Sequence, residues 1–357
     1  MKKLLTVIGA RPQFIKASVV SNVLLKKNVI EETIVHTGQH FDENMSNIFF
    51  NELNIPKPAY QLDINGKSHG QMTGEMLAAI EKILLNEKPD ALMVYGDTNS
   101  TLAGALAASK LHIPVIHIEA GLRSFNMKMP EEINRILTDQ VSKILFCPTS
   151  AAINNLQAEG FNQKNTLIEL SGDVMQDSAL YFKQFAKKPD IEYLSTNNFI
   201  LATLHRAENT DNIQRLKQII DAINHIHHTI APVILPLHPR TRNVLNKEKI
   251  HLHACVIDPI GYLEMIWLLN HCQLVLTDSG GIQKEAFFFH KPCVTMRDQT
   301  EWIELIDNGA NKLAGANTDL IIELVKEMLN QPIKDPQKIY GGGTASVFIA
   351  DYIAQHI

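Results

Sequence analysis

Short apolar segments alternate with helical patterns along most of this chain, and no other feature limits its fold as strongly. In the first half of the chain the apolar segments cover residues 4–8, 30–36, 91–95, 114–118 and 144–147. Each segment ends in a polar or glycine-containing loop and is followed by a helical pattern, which indicates repeated strand, loop and helix units. Strands that alternate with helices form parallel sheets with helices on both faces. The first half therefore predicts one doubly wound α/β sheet.

The same alternation starts again in the second half of the chain. After a polar stretch around Lys187-Lys188-Pro189-Asp190, apolar segments follow at residues 199–204, 233–237, 254–257, 274–277 and 293–296. We predict two tandem Rossmann-like domains, residues 1–185 and 186–340, with a cleft between their facing edges. Glycines at positions 341–343 precede a final amphipathic helix, so residues 341–357 are expected to pack back on the first domain.

Composition excludes several classes of function. Of the 357 residues, 45% are hydrophobic and 20% are charged, which is typical of a globular protein. The net charge of −5 argues against a nucleic-acid surface. No apolar run approaches the roughly 20 residues that span a bilayer, and Met1-Lys2-Lys3 leads into the first strand without a signal-peptide cleavage pattern. We therefore expect a cytoplasmic protein without nucleic-acid or membrane partners.

Neither the cysteines nor the histidines indicate a metal site. Cys147, Cys255, Cys272 and Cys293 lack paired ligand spacing, so we expect buried free thiols. Three histidines within residues 225–228 lack carboxylate or thiolate partners at ligand spacing. They suit the end of a helix, where cations complement the dipole. We predict no metal.

Residues 274–285 combine a buried strand, a glycine pair and the start of a helix. Asp278 and Ser279 are residue types that cap helices, and a helical pattern begins at Ile282. Gly280 and Gly281 permit positive φ and let an anion approach the backbone closely. Bare N–H groups at a helix N-terminus attract phosphate. The segment is a candidate phosphate cradle, although a glycine pair after a strand is also an ordinary loop.

Two cations lie near the end of the first strand. Arg11 is in the loop after that strand, and Lys16 is about one turn into the following helix. Both are placed at the carboxyl edge of the predicted sheet, where open α/β folds bind ligands. Solvated surface charge is the competing interpretation, and the sequence does not choose between the two.

Three acidic residues are candidates for chemistry at the same edge. Asp97 follows the strand at residues 91–95, where an N-cap role is a common alternative. Glu119 follows the strand at residues 114–118 and has no such direct capping explanation, so we favour a functional role for it. Glu131 comes just after Pro130 at a predicted helix start, where complementarity to the dipole explains an acid equally well.

These motifs, in this order, resemble those of the non-hydrolysing UDP-N-acetylglucosamine 2-epimerases. The resemblance covers essentially the whole chain and implies an α/β fold of the two-domain glycosyltransferase B type. The motifs that carry it are Gly9-Ala10-Arg11-Pro12 with Lys16, His36-Thr37-Gly38-Gln39-His40, Gly96-Asp97-Thr98, Glu119-Ala120-Gly121-Leu122-Arg123, Pro130-Glu131-Glu132 with Asn134-Arg135, His205-Arg206, Asp278-Ser279-Gly280-Gly281 with Gln283 and Glu285, and Met296-Arg297-Asp298.

The resemblance implies an activity and a set of roles. The family inverts C2 of a UDP-sugar by eliminating UDP and adding it back, and this chemistry requires neither a metal nor a nicotinamide cofactor. A homodimer is also expected. The family's diphosphate contacts fall on Arg11, His205, Ser279, Gly280 and Gly281, its ribose contact on Glu285, and its catalytic carboxylates on Asp97, Glu119 and Glu131, with His205 among the catalytic residues and Lys16 among the substrate contacts.

One departure from the family pattern bears on the substrate. Thr300-Glu301-Trp302 stands where the UDP-N-acetylglucosamine enzymes usually have Arg after the Thr-Glu pair. Residues 41–45, 124–129 and 298–302 are more similar to a subgroup that acts on UDP-2,3-diacetamido-2,3-dideoxy-glucuronate, a precursor of bacterial surface polysaccharide such as the O-antigen of lipopolysaccharide. A substrate with a C5 carboxylate needs a cation, for which Lys128 and Arg123 are candidates.

Three other functions compete with this prediction. UDP-N-acetylglucosamine is the nearest alternative substrate. A retaining glycosyltransferase of the same fold is the second enzyme hypothesis, and it would require an acceptor. A non-catalytic nucleotide-sugar sensor would keep the glycine cradle and Glu285 but would not need Asp97, Glu119 and Glu131 together.

Overall fold

The computed structural model describes residues 1–39, 57–191, 198–335 and 338–357. It divides into two compact units, one formed by Met1–Ser178 with Lys338–Ile357 and the other by Ala179–Gln337. The sequence also predicts a helix at residues 44–53, and this segment, like residues 41–45 that carry part of the resemblance, lies outside the described residues. The domain boundaries at residues 185 and 340 stay a prediction about folding units.

The first unit is built on a parallel sheet whose strand order is β3-β2-β1-β4-β5-β6-β7. Helices connect β1 to β2 and each strand from β3 to β6 to the next one in the chain, as the alternation in the sequence predicts. The elements are β1 Lys2–Ile8, α1 Arg11–Lys27, β2 Ile30–His36, β3 Tyr60–Gln61, α2 His69–Glu87, β4 Ala91–Tyr95, α3 Asn99–Lys110, β5 Val115–Ile118, α4 Pro130–Val141, β6 Ile144–Cys147, α5 Ser150–Ala158, a short 3₁₀ helix Phe161–Gln163, β7 Leu167–Leu170, α6 Val174–Lys183 and, at the end of the chain, Ala345–His356.

The second unit repeats the architecture with a parallel sheet of order β10-β9-β8-β11-β12-β13. The elements are β8 Ile200–Thr203, α7 Ala207–Thr210, α8 Ile213–Thr229, β9 Val233–Pro236, α9 Pro239–Lys247, β10 Cys255–Ile257, α10 Tyr262–His271, β11 Leu274–Thr277, α11 Gly280–Phe288, β12 Cys293–Thr295, α12 Ile303–Asp307, β13 Asn311–Leu313 and α13 Thr318–Met328, so that the C-terminal helix Ala345–His356 is α14.

Each sheet has one point at which the strand order reverses. In the first unit it lies between β1 and β4, and in the second between β8 and β11. The loops after these two strands diverge to opposite faces, which leaves a crevice at the carboxyl ends where α/β sheets bind ligands. The motifs after β1, β4, β8 and β11 are therefore brought to the two positions most suited to a site.

Apolar burial explains why the strands lie centrally. β4, β5, β6, β8 and β11 are buried along their entire lengths, which is expected when helices cover both faces of a parallel sheet. Small residues let α3 pack close to the first sheet, since a side chain at Gly104 would meet Val7 and Val94 at 3.3 Å. Within the described part of the chain, no helix is long and apolar enough to cross a membrane.

The C-terminal helix α14 belongs to the first unit. Its first N–H groups, from Ala345 and Ser346, donate to the buried carboxylate of Asp177 on α6 at 3.2 and 2.7 Å. Lys27 of α1 pairs with Asp351 at 2.6 Å. The helix is thus tied to α6, 168 residues earlier in the chain, and to α1, 324 residues earlier.

The sequence pattern predicts the fold class correctly and misses the shortest strands. Two parallel sheets with helical crossovers confirm the α/β Rossmann-like prediction. Strands β3, β7 and β13 were not singled out, because these edge strands are short and only partly buried and so lack the continuous apolar run of the central strands. Of the four cysteines, all free, three are buried and Cys255 is partly exposed.

Candidate active site

Glu119 lies beside the switch point of the first sheet, at the end of β5. Its side chain is 8% exposed and forms an ion pair with Lys16 of α1, whose side chain is 11% exposed. Its backbone φ is +72°, a left-handed conformation that is costly for a residue other than glycine. Gly96, at the end of β4, has a φ of +61°, and a side chain there would approach the Glu119 carboxylate at 3.4 Å. The predicted acid and the predicted cation are therefore brought together.

Gln13 joins the two loops at this switch point. Its Oε1 accepts hydrogen bonds from the N–H groups of Gly9 and Ala10 at 2.8 and 3.0 Å. Its Nε2 donates to the Tyr95 carbonyl at 2.7 Å and to the Thr101 hydroxyl at 2.9 Å. One buried side chain thus holds the start of α1 against the end of β4. The sequence analysis assigned it no role, although it lies within the glycine and proline motif after β1.

Asp97 does not cap α3. The N-cap is Thr98, whose side chain accepts a hydrogen bond from the Thr101 N–H. The Asp97 carboxylate instead pairs with Arg135 of α4 at 2.5 Å, and its carbonyl accepts from Asn134 at 2.9 Å. The capping explanation is therefore wrong, and Asp97 is held at the loop tip by α4.

The two acids at the start of α4 have different environments. Glu132 is 1% exposed, accepts hydrogen bonds from the Ser124 and Phe125 N–H groups at 2.8–3.0 Å and pairs with Arg135 at 2.7 Å. Burial raises the pKa of Glu132, but those hydrogen bonds and Arg135 outweigh burial and hold it below the ordinary value. Glu131 is exposed. Of the two, Glu131 is open to solvent, while Glu132 organises the preceding loop.

Arg123 and Lys128, the candidate partners of a substrate carboxylate, differ sharply. The Arg123 guanidinium is 1% exposed and contacts Glu159 at 2.6 and 2.8 Å and Asp139 at 2.8 Å. Burial acts to lower the pKa of Arg123, but its two carboxylate partners raise it above the ordinary value. Arg123 therefore holds the loop after β5 and does not present a free cation, whereas Lys128 is exposed. The side chain of Arg11, the first residue of α1, lies outside the described part of the chain.

In the second unit, Asp278 organises the switch point and does not cap α11. Its buried carboxylate accepts hydrogen bonds from the His205 and Arg206 N–H groups at 2.9–3.2 Å and from Asn209 Nδ2 at 3.3 Å. The His205 ring is 50% exposed, and its Nδ1 is 3.8 Å from Asp278 Oδ1, which is too far for a hydrogen bond. Asp278 thus fixes the backbone of the loop after β8 and leaves the His205 ring accessible.

The glycine pair forms the start of α11, two residues before the helical pattern that the sequence shows from Ile282. Gly280 and Gly281 are the first two helical residues, and neither has a positive φ. Ser279 is the N-cap residue, and its side chain makes no capping hydrogen bond. The positive φ that glycine permits is therefore not used at this pair. A side chain at Gly280 would have to displace the end of the Glu301 side chain, whose carboxylate lies against this position.

Glu301 and two arginines surround the start of α11. Arg297 Nη1 pairs with Glu301 at 2.9 Å, and a side chain built on Gly280 would lie 3.6 Å from Arg206 Nη2. The Arg297 side chain is 8% exposed, and its Nε has no hydrogen-bond partner among the described residues. A carboxylate between cations at the N-terminus of a helix marks a place suited to an anion.

The residue that replaces the family's arginine supports the first turn of α11. Trp302 Nε1 donates to the Gly280 carbonyl at 2.9 Å, and the ammonium of Lys284 lies 4.2 Å from the Trp302 ring centroid. Gln283, fully buried, accepts from Thr300 and Asn311 at 2.7 and 2.9 Å. Glu285 is 4% exposed on the same helix. This position therefore holds a neutral side chain that supports the first turn of α11.

Sequence reasoning quoted Asp278 and Gln283 in motifs but did not foresee their contacts. Asp278 meets residues more than 70 positions earlier, and Gln283 meets Asn311 from 28 positions later. A polar residue at a fully buried position is the signal that could have found them, because such a group needs a partner. No group of three or more potential metal ligands occurs within the described residues.

Comparison with known proteins identifies the family. The sequence profile described as UDP-N-acetylglucosamine 2-epimerase matches residues 23–354. The chain belongs to the UDP-N-acetylglucosamine 2-epimerase family. A UDP-2,3-diacetamido-2,3-dideoxy-D-glucuronate 2-epimerase of Pseudomonas aeruginosa is 65% identical over 353 residues, which cover 99% of each chain. The predicted family and subgroup resemblance are thereby confirmed.

Solved structures of the 2-epimerase family share the fold of this member. The UDP-GlcNAc 2-epimerase of Methanocaldococcus jannaschii, in complex with UDP-GlcNAc and UDP, has a TM-score of 0.87 and 44% identity, with 99% of each chain covered. The enzyme of Neisseria meningitidis bound to UDP-GlcNAc has a TM-score of 0.85 and 32% identity, with 99% of this chain and 100% of that chain covered. These similarities confirm the fold prediction and the assignment to a family of isomerases.

Proposed function

We propose that this 2-epimerase inverts C2 of UDP-2,3-diacetamido-2,3-dideoxy-glucuronate to the manno epimer, as a step toward bacterial surface polysaccharide such as the O-antigen. The observation that carries the proposal is that the two switch points differ. The one in the first unit holds a carboxylate paired with a cation, and the one in the second unit holds a helix that begins with glycine and lies beside cations. The 65% identity with the Pseudomonas aeruginosa enzyme, whose name states this substrate, supports the choice of sugar.

The C2 proton is not adjacent to a carbonyl, so its removal depends on the departure of the diphosphate. In the first step the C2–H and C1–O bonds break, a base takes the proton, UDP leaves with the electron pair of the C1–O bond, and a C1–C2 double bond forms. In the second step UDP adds back to C1 and a proton is delivered to the opposite face of C2. Groups that stabilise the leaving diphosphate therefore carry much of the catalysis.

The first group of site residues is proposed to bind the nucleotide. In our proposal Arg11, His205, Ser279, Gly280 and Gly281 hold the diphosphate, and Glu285 binds the ribose. The half-exposed ring of His205 and the uncapped N-terminus of α11 support these assignments.

Proton transfer is assigned to carboxylates of the first unit. Inversion needs an acid and a base on opposite faces of the sugar, and Asp97, Glu119 and Glu131 are the candidates. Glu119 is fixed by Lys16 and Asp97 by Arg135, so two of the three carboxylates are held in place by cations on α1 and α4. Preorganised positions of this kind reduce the cost of reaching the reactive geometry.

The C5 carboxylate of the sugar is assigned to Lys128. Of the two candidates, Arg123 already pairs with Glu159 and Asp139, while Lys128 is exposed on the loop before α4. Because Glu131 follows Lys128 by three residues, the same segment would then contact both the carboxylate and the reacting carbon.

Deuterium incorporation tests the proposed reaction directly. The protein is incubated in heavy water with UDP-2,3-diacetamido-2,3-dideoxy-glucuronate or with UDP-N-acetylglucosamine, and C2 is followed by NMR and mass spectrometry. We expect deuterium at C2 of substrate and product with the diacetamido-glucuronate sugar. If deuterium exchange occurred only with UDP-N-acetylglucosamine, that sugar would be the substrate and our choice would be wrong. Turnover only with an added acceptor would favour a glycosyltransferase, and binding without exchange would favour a sensor.

The proposal includes two expectations from the sequence, a cytoplasmic location and a homodimer. Light scattering coupled to size-exclusion chromatography measures the second, and a monomer mass would remove it from the proposal.

A further inference from the structure

His117 is a fully buried histidine that bridges two parts of the first unit. It lies on β5, two residues before Glu119, and its side chain is 0% exposed. Its Nδ1 is 2.7 Å from Asp139 Oδ1, and its Nε2 is 2.7 Å from the carbonyl oxygen of Gly96. Both ring nitrogens therefore make short contacts with oxygen atoms.

The chemistry of these two oxygens determines where the protons lie. A backbone carbonyl only accepts, so Nε2 must carry a hydrogen. Asp139 Oδ2 contacts the Arg123 guanidinium at 2.8 Å and accepts from the Gly121 N–H at 3.2 Å, so its carboxylate is surrounded by donors. Nδ1 must then donate as well. A ring that donates from both nitrogens is an imidazolium.

The surroundings balance this charge. His117, Asp139 and Arg123 are buried, and together with the more exposed Glu159 they form a connected set, which we call the quartet. An imidazolium and a guanidinium face two carboxylates, so the quartet has no net charge. Buried ions are costly unless each is paired and hydrogen-bonded, and the quartet meets both conditions. Glu119, two residues after His117, is paired with Lys16.

The quartet contacts both loops that carry the proposed catalytic acids. Gly96, whose carbonyl binds His117, directly precedes Asp97. Gly121, whose N–H binds Asp139, follows Glu119 by two residues. We propose that His117 is a positioning residue, protonated on both ring nitrogens, that fixes the loops after β4 and β5 and thereby sets the positions of Asp97 and Glu119. The catalytic part of this inference rests on the proposed function.

A second buried histidine in the same sheet provides an internal contrast. His36, at the end of β2, is 1% exposed and packs against the Phe14 ring with centroids 4.8 Å apart. Burial lowers its pKa to about 4, although the charge of Asp63 acts in the opposite direction. Its Nε2 has no hydrogen-bond partner among the described residues. Two histidines that are equally inaccessible should therefore differ in charge at neutral pH.

Nitrogen-15 NMR of histidine-labelled full-length protein tests the charge directly. We expect two protonated nitrogens for His117 and a neutral ring for His36 at pH 7.5, with signals assigned from His117→Gln and His36→Gln spectra. Asp139→Asn should remove the carboxylate that charges His117 and shift its ring toward the neutral form. A neutral His117 in the wild-type protein would overturn the proposal, and this measurement does not require activity. If the wild-type protein showed no epimerase activity, the proposed function would be refuted, but the NMR result on the charge of His117 would still hold.

Kinetics test the positioning role. His117→Gln should lower kcat by about 100-fold, the scale expected when catalytic groups are misplaced by about an ångström. KM should change little, because the proposed diphosphate contacts are elsewhere. The matched control is His227→Gln, which removes a part-buried histidine whose Nδ1 accepts from the Val233 N–H at 3.0 Å, and it should lower thermal stability without lowering kcat. An unchanged kcat in a folded His117→Gln protein would overturn the positioning role.

Discussion

At the scale of single residues, two glutamates show how neighbours decide what a carboxylate does. Glu119 is held by Lys16 in a backbone conformation with a φ of +72°. Glu301 lies against Gly280 at the start of α11 and pairs with Arg297. The first is placed where we propose proton transfer, whereas the second lies where we propose that a diphosphate binds. A glutamate is therefore expected to assist catalysis at position 119 and to compete with the diphosphate at position 301.

Replacing Glu301 by Gln should strengthen UDP binding. The change removes a negative charge from the proposed diphosphate site and keeps the size of the side chain. Charge repulsion at about 4 Å is worth roughly 1 kcal/mol or more, so the Kd for UDP should fall by about fivefold or more. Isothermal titration calorimetry measures the change. Glu327→Gln, on the same unit and paired with Lys312, is the control with no expected effect. Weaker UDP binding by Glu301→Gln would mean that the carboxylate helps to hold the nucleotide.

At the scale of secondary structure elements, the N-termini of α14 and α11 differ in whether a side chain caps them. The first N–H groups of α14 are satisfied by Asp177. The N-cap of α11, Ser279, contributes no side-chain hydrogen bond, and the helix begins with glycine. A helix whose first turn is closed by a side chain is a structural element, while one whose first turn stays open can bind a phosphate.

Asp177→Ala should destabilise the first unit by about 2 kcal/mol, because it removes the cap of α14 and leaves buried donors without a partner. The carboxylate accepts from two backbone N–H groups and from the Ser346 hydroxyl at 2.6 Å. Urea unfolding followed by circular dichroism measures the loss. Asp351→Ala breaks a partly exposed ion pair with Lys27 and should cost less than about 1 kcal/mol. Equal losses for both variants would contradict the capping role.

At the scale of the whole molecule, the two units repeat one architecture but carry different chemistry. Each has a parallel sheet whose order reverses once, between β1 and β4 or between β8 and β11. The first places carboxylates and their cations at the reversal, and the second places an uncapped helix with a glycine start. We therefore expect nucleotide binding and proton transfer to respond to different substitutions.

Glu119→Gln should abolish deuterium exchange at C2 while UDP binding stays near that of the wild type. Loss of general acid or base catalysis lowers rates by about 100-fold to 10,000-fold without removing ligand contacts. His205→Ala should weaken UDP binding and lower kcat/KM by about 100-fold, since it removes a proposed stabiliser of the leaving group. Calorimetry with UDP and exchange in heavy water are measured on both proteins. If Glu119→Gln weakened UDP binding as strongly as His205→Ala, the division of tasks would be wrong.

Local patterns in the sequence were sufficient for the α/β fold, the ends of the main strands and the positions of the glycine motifs. Strand and helix periodicity is a property of neighbouring residues, so β4, β5 and β11 could be predicted within a residue or two. The sequence also placed Lys16 and Glu119 at one edge of a sheet, because carboxyl ends of parallel strands share an edge.

Only the tertiary structure decided which side chains meet. Arg123 was a candidate for the substrate and is engaged by Glu159, 36 residues later. His117 contacts Asp139 across 22 residues, and Gln13 contacts Tyr95 across 82. Such partners are chosen by strand order and helix packing, and buried polar groups must find them wherever the fold places a complementary atom. The sequence determined the elements and the chemistry available at their ends, whereas packing determined which charges are consumed within the protein and which remain for a ligand.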